Sequence, residues 1–152
     1  MLELNLPPYT PKIKKNDKLY IWDQIRSKYV ALTPEEWVRQ HFINYLITEK
    51  QYPASLIANE TQISLNTQRK RCDSVVYDNR LNPLVIVEYK SPDVKITQEV
   101  FDQIARYNIV LRVKYLIVSN GLEHYCCRID YDNLSFEYLS EIPLYGALEK
   151  RL

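Results

Sequence analysis

The chain has 152 residues, 46% of them hydrophobic and 26% charged, and a formal net charge of +1. That length and make-up suit one globular domain with its own core, and they exclude a low-complexity or collagen-like chain. The near-neutral balance directs no global field at nucleic acid or membrane, which leaves only a local basic groove open. Cys72, Cys126 and Cys127 are odd in number and partly adjacent. They make neither a disulfide framework nor a zinc spacing, and they fit a reducing cytoplasm. No apolar run reaches the length of a membrane span, and the N-terminus lacks the long apolar segment of a signal peptide.

Residues 1–18, rich in proline and lysine, predict an extended arm on the surface. LYIWD (19–23) and KYVAL (28–32) predict short strands around a polar turn. TPEEWVRQHFINYLI then carries helix signals: Thr33 as N-cap, Pro34 at the first helical position and Glu36 at the capping-box position. Val38, Phe42, Tyr45 and Leu46 form its apolar stripe. Three strands follow, at 55–64, 70–78 and 83–90, the last two joined by the turn-rich DNRLNP. A second helix begins after Thr97, with Val100, Ile104 and Leu111 as its stripe and Tyr107 beside it. KYLIVS and LEHYCCRI predict strands on either side of Asn120-Gly121, a strong hairpin signal, and LSFEYL a last short strand. The strand–helix–strand passage requires a crossover, so PLVIVEYK and KYLIVS should run parallel within one mixed β-sheet flanked by helices, an α/β fold. The expected division is one domain over 1–152: arm and short strands in 1–30, core in 31–130, C-terminal extension in 131–152.

The chemistry-bearing residues gather at the end of the most apolar strand. In IVEYKSP (86–92), Glu88 and Lys90 share a strand face about 6.6 Å apart. Burying such a pair costs free energy unless it is matched or binds something. Asp73 shares a face with Val75 and Tyr77, and antiparallel pairing through DNRLNP brings it beside Glu88 and Lys90. Two close carboxylates raise each other's pKa unless a cation stands between them, and carboxylate and water oxygens suit Mg2+ or Mn2+. Such an ion acidifies a water and offsets charge on a phosphate oxygen, and a neighbouring lysine orients that water or neutralises the transition state. A solvated strand edge or a cross-strand ion pair accounts for the same residues without chemistry.

On KRCD (70–73), VEYK (87–90) and DQIARY (102–107), the chain resembles the PD-(D/E)xK nuclease superfamily. More closely it resembles the N-terminal nuclease domain of type I restriction enzyme R subunits. Gln103 and Tyr107, at i and i+4 on one helix face, match the QxxxY motif of R-subunit and RecB-like nucleases. LTPEEWVRQHF (32–42) resembles the first helix of that domain, where an acid faces the site. The likeness covers roughly residues 30–125.

The resemblance implies a restriction-endonuclease-like αβββαβ core and a divalent metal, Mg2+ or Mn2+, held by Asp73 and Glu88 with the carbonyl of Tyr89 as a further ligand. Lys90 would act on the attacking water and the scissile phosphate. Glu36 is either the capping-box acid or an outer ligand acting through water. Gln103 and Tyr107 would position DNA or the lysine rather than do chemistry. Arg71 ends QRKR (68–71), which is either a solvated turn or a phosphate-contact patch. Glu60 is expected to be a solvated strand residue, and His41 and His124 to be packing or surface residues rather than ligands. Cys72 stands where the family motif has proline, a position without chemistry. Restriction R subunits continue into an ATP-driven motor, whereas this sequence ends at Leu152, so no translocase is expected in the same polypeptide.

The expected function is a metal-dependent DNA endonuclease domain, with DNA, separate restriction or repair subunits, or a second copy as partners. The alternative is a non-catalytic DNA- or partner-binding module that keeps the nuclease fold, motivated by the near-zero net charge and the missing motor.

Overall fold

A computed structural model describes residues 2–149, so residues 1 and 150–152 of the expected extent lie outside the described residues. The chain opens with a small antiparallel sheet of β1 (Ile13–Lys15), β2 (Leu19–Asp23) and β3 (Lys28–Ala31). Helix α1 (Pro34–Thr48) follows, started by the Thr33 hydroxyl, which accepts the Glu36 backbone N–H. Then come β4 (Ile57–Leu65), β5 (Gln68–Tyr77) and β6 (Pro83–Tyr89), and helix α2 (Gln98–Ile109), capped in the same way by Thr97. β7 (Tyr115–Ser119), β8 (His124–Asp130) and β9 (Ser135–Leu139) complete a six-stranded sheet ordered β4-β5-β6-β7-β8-β9. Its single parallel pair is β6–β7, bridged by α2, as the crossover requires.

The two central strands read almost without polar interruption because both of their faces are covered. Val85 and Val87 pack with Phe42, Leu46 and Ile117 on the α1 side. Ile86 packs with Phe101, Ala105, Leu116 and Val118 on the α2 side. Glu88 follows Ile86 by two residues and so shares its parity. A strand end flanked by a helix on each face thus delivers a carboxylate into a gap between layers. No helix among the described residues is long and apolar enough to cross a membrane.

Several expectations need correction. Residues 13–15 of the predicted arm pair with β2, and Leu4 and Leu6 pack on the α1-side core. Asn5 N–H donates to the Gly121 carbonyl at 2.8 Å. Gly121 has φ +86, and an added Cβ there would lie 2.7 Å from a Leu4 methyl, so both hairpin and arm require glycine. QRKR is strand, not turn: β5 begins at Gln68, and the hairpin reverses at Asn66 with φ +56. Residues 54–56 form a short 3-10 turn ahead of β4. The buried residues of α2 are Phe101, Ala105 and Asn108; of the expected stripe, Leu111 is buried in the same core just past the helix and Ile104 packs against it, while Val100 is half-buried and outside it. Tyr107 is accordingly 49% exposed. The tail packs more closely than an extension would: Ile142, Tyr145 and Leu148 enter the α1-side core, and Tyr52 Oη donates to the Pro143 carbonyl at 3.0 Å.

Candidate active site

Asp73 sits where two ladders fail together. The β4–β5 pairing runs through Asn59↔Ser74 and Thr61↔Cys72 but omits the Glu60–Asp73 step, and Glu60 has φ +52. Cys72 and Val75, three apart, both enter the α2-side core, so the strand's alternation breaks at Asp73. Other groups take over the lost backbone partners. Arg39 Nη1, from α1, donates to the Asp73 carbonyl at 2.6 Å. On the other side, the β5–β6 pairing ends at Ser74↔Val87, and Tyr89 N–H donates to Asp73 Oδ2 at 2.9 Å. The carboxylate is thereby held at the end of β6, against Glu88.

Glu88 is largely enclosed. Its Oε1 is buried without a hydrogen-bond partner. Burial first, and the Asp73 charge second, push its pKa well above the carboxylate range, with Asn108 of α2 offsetting part of the shift. The same carboxylates register on a neighbour: burial, then Glu88 and Asp73, push the Cys72 thiol up to about 12. The two acids thus meet in a partly buried corner, and neither makes an ion pair among the described residues. Lys90 follows, its backbone N–H donating to the Ser119 carbonyl at 2.9 Å. Its side chain makes no ion pair among the described residues.

The structure brings all eight nominated residues into one cleft of about 760 Å³, lined by Asp73, Glu88, Tyr89, Lys90, Glu36, Arg71, Gln103 and Tyr107. Their states differ. The Glu36 side chain does not close a reciprocal capping box. Its Oε2 accepts Gln40 Nε2 at 3.0 Å and lies 3.0 Å from Arg39 Nε, and its Oε1 accepts Arg26 Nη2 at 3.5 Å. Arg71 pairs with Glu60 at 3.0 Å through a side chain that is 63% exposed. Gln103 and Tyr107 sit on the outer lip, and Lys70 Nζ stands 4.3 Å from the Tyr107 ring centroid. His41 and His124 serve packing, set against the rings of Trp37 and Phe42 respectively.

Sequence reasoning missed the groups that hold this cleft. Arg39 links Glu36 to Glu60, which it reaches at 2.6 Å, so the wall reads Arg26, Glu36, Arg39, Glu60, Arg71 in alternating charge. Burial works against the Arg39 charge, but Glu36 and the Glu60 hydrogen bond outweigh it and hold the guanidinium above its ordinary pKa. Glu60 is therefore not a solvated strand residue; burial opposes its charge too, and Arg39 and Arg71 overcome it. Below them, Ser74 Oγ donates to Asn59 Oδ1, Asn59 Nδ2 donates to Asp23, and Asp23 accepts from Arg26. The available signal was a charged residue, Arg39, lying between Val38 and Phe42 on a helix whose neighbouring positions are core.

An oxygen-only donor set with one unpartnered, buried carboxylate oxygen fits a hard divalent cation. Asp73 and Glu88 supply two carboxylates. Among the described residues there is no cluster of three or more His, Cys, Asp or Glu placed to hold an ion.

A family model described as the type I restriction enzyme R protein N terminus matches residues 34–143. No curated protein matches the chain. Among solved structures, the chain is similar to a fragment described as an HsdR subunit of a type I restriction enzyme from Vibrio vulnificus YJ016. The TM-score is 0.54 at 19% identity, over 77% of this chain and 24% of that one. The chain thus spans about a quarter of that structure's length.

Proposed function

The chain belongs to the family of type I restriction enzyme R protein N termini, with a restriction-endonuclease-like fold, and on that premise we propose that it is a metal-dependent nuclease domain hydrolysing DNA phosphodiesters. The observation that carries the reading is the pairing of Asp73 with a Glu88 whose buried Oε1 has no partner. Such a pair is costly unless a cation enters. Asp73, Glu88 and the Tyr89 carbonyl would hold Mg2+ or Mn2+. When bound, the ion would supply Lewis-acid chemistry, a more acidic water and a counter-charge for the phosphate.

The chain's own residues do the rest. Lys90, which makes no ion pair among the described residues, is available to donate to the attacking water or to a phosphate oxygen of the transition state. Arg39 fixes the Asp73 backbone, and Glu36 and Glu60 fix Arg39. Glu36 is engaged by three side chains, so it acts by positioning or through a water. Gln103, Tyr107 and Arg71 at the lip contact the DNA backbone. Cys72, Cys126 and Cys127 are free and buried, which suits a reducing cytoplasm. Separate subunits of a restriction system, or a second copy, are the expected protein partners.

The lack of a third acidic ligand among the described residues favours a second reading, a binding module with a disabled site. The test is cleavage of plasmid and single-stranded DNA in Mg2+ or Mn2+ by wild type, Asp73→Ala and Lys90→Ala. Each variant is expected to lose on the order of a hundredfold or more in rate. Equal cleavage by all three rules the site out. Calorimetry separates the readings: Mg2+ binding heat that disappears in Glu88→Ala supports catalysis, and no heat in wild type supports the binding module.

A further inference from the structure

The β1–β3 sheet carries a charge out of proportion to the chain. Residues 12–28 hold six basic side chains and two acidic ones, while the whole chain has a net charge of +1. The remainder is therefore net negative. The segment's two acids leave most of that charge in place. Asp23 is fully buried and engaged by Arg26 and Asn59. Asp17 is exposed, accepts the Tyr20 hydroxyl and interacts with Lys18, so it offsets one lysine charge. Lys12, Lys14, Lys15, Lys18 and Lys28 are all exposed, and none makes an ion pair among the described residues.

Aromatic rings interleave with these lysines. Lys12 Nζ lies 5.5 Å from the Trp22 ring centroid, Lys14 Nζ 5.5 Å from that of Tyr29, and Lys18 Nζ 5.7 Å from that of Tyr20. Trp22 and Tyr29 meet edge to face at 5.1 Å. A lysine laid across a ring keeps its charge and gives up part of its rotamer freedom before any ligand arrives. The sheet also adjoins the cleft: Arg26, Val30 and Ala31 form part of the cleft wall. Lys12 and Lys14 lie two positions apart along the β1 edge, about 6.6 Å in extended chain, and Lys18 follows in the turn into β2.

We infer that the β1–β3 sheet is a nucleic-acid backbone grip, in which Lys12, Lys14 and Lys18 take consecutive phosphates of a strand whose continuation enters the acidic cleft. The occupant is a nucleic acid because its charge density matches a row of lysines at this spacing, and the aromatic rings between them suit bases or sugars where a strand is unpaired. The grip answers a difficulty of the nuclease reading on which it rests: two carboxylates repel the backbone they must meet, and a basic surface alongside offsets that repulsion. It assigns a role to a segment outside the 34–143 stretch that matches the family model.

The test is binding of fluorescent 20-nucleotide duplex and single-stranded DNA in Ca2+, and separately in EDTA, across a salt series. The variant Lys12→Gln/Lys14→Gln/Lys18→Gln is compared with Lys50→Gln/Lys95→Gln/Lys114→Gln, which removes equal charge elsewhere. The first is expected to weaken binding tenfold or more and to flatten the slope of log Kd against log salt by about 2–3, at roughly 0.9 per lost phosphate contact on duplex. The second should leave both within twofold of wild type. Equal effects of the two triples, no DNA binding by wild type, or competition by poly-glutamate as strong as by DNA would each overturn the grip. Lysine-dependent binding without any cleavage would leave the grip standing and remove the nuclease. Cleavage by wild type together with indifference to the lysines would do the reverse.

Discussion

Glu88 gives the site its sharpest thermodynamic signature. A carboxyl whose folded-state pKa is raised holds its proton to higher pH than the unfolded chain does. Its burial is therefore harmless below the ordinary value of 4.5 and increasingly costly as pH climbs toward the folded value. Metal-free protein should lose stability as pH rises from about 5 to 8. Glu88→Gln should flatten that slope and stabilise the metal-free form at pH 8 by roughly 1–3 kcal/mol, read as the denaturation midpoint. Mg2+ should stabilise wild type at pH 8 and leave Glu88→Gln unmoved. If Glu88→Gln were instead less stable than wild type at pH 8, the carboxylate would already have a compensating partner. The juxtaposition of Asp73, Glu88 and Lys90 was legible from strand parity and one short turn. The unpartnered Oε1 was not, because it depends on which groups α2 brings down onto the strand end.

Helix α1 acts as the clamp of the site. Its apolar residues Val38, Phe42 and Leu46 were readable from the 3.6-residue period. Its polar residues were not, because Glu36, Arg39 and Gln40 are also buried and find partners in the β2–β3 turn, β4 and β5. Removing Arg39 takes one partner each from Glu36, which keeps Arg26 and Gln40, and from Glu60, which keeps Arg71. It also leaves the Asp73 carbonyl without its donor, so Arg39→Ala should cost about 2–4 kcal/mol by chemical denaturation. If it folds, its Mg2+ affinity should fall with it, since Asp73 loses its backbone anchor. Arg39→Lys restores charge but cannot reach Glu36, Glu60 and the Asp73 carbonyl together, so it should recover part of the stability and little of the metal affinity. Full recovery by lysine would show that charge alone matters. Thr33→Ala removes a cap whose geometry is in place and should cost about 1 kcal/mol.

The molecule joins two sheets through a polar seam. Asp23 accepts two turn N–H groups, the Arg26 side chain and Asn59, and Asn59 in turn accepts Ser74 Oγ. Burial opposes the Asp23 charge, but these donors outweigh it and hold its pKa below the usual range, so the seam should weaken as pH falls through the acid range. Asp23→Ala leaves the donors without an acceptor and should cost about 2–4 kcal/mol. Amide exchange should rise over residues 12–32 while the six-stranded sheet keeps its protection; uniform exchange throughout would show that the seam does not hold the small sheet in place. The periodicity of the two helices, the runs of apolar strand, the turn residues and the motif spacing are local properties, and each was decided by side-chain pattern against a period of 2 or 3.6. The acidic pair could be placed because its two strands are joined by one short turn. The Arg39 clamp, the Asp23 seam and the packing of the tail rest on contacts between distant residues, 21 positions for Arg39–Glu60, 36 for Asp23–Asn59 and 91 for Tyr52–Pro143, where any of many polar groups could have served as partner. Buried polar atoms must be satisfied by whatever packing brings near, and no one-dimensional pattern records that choice.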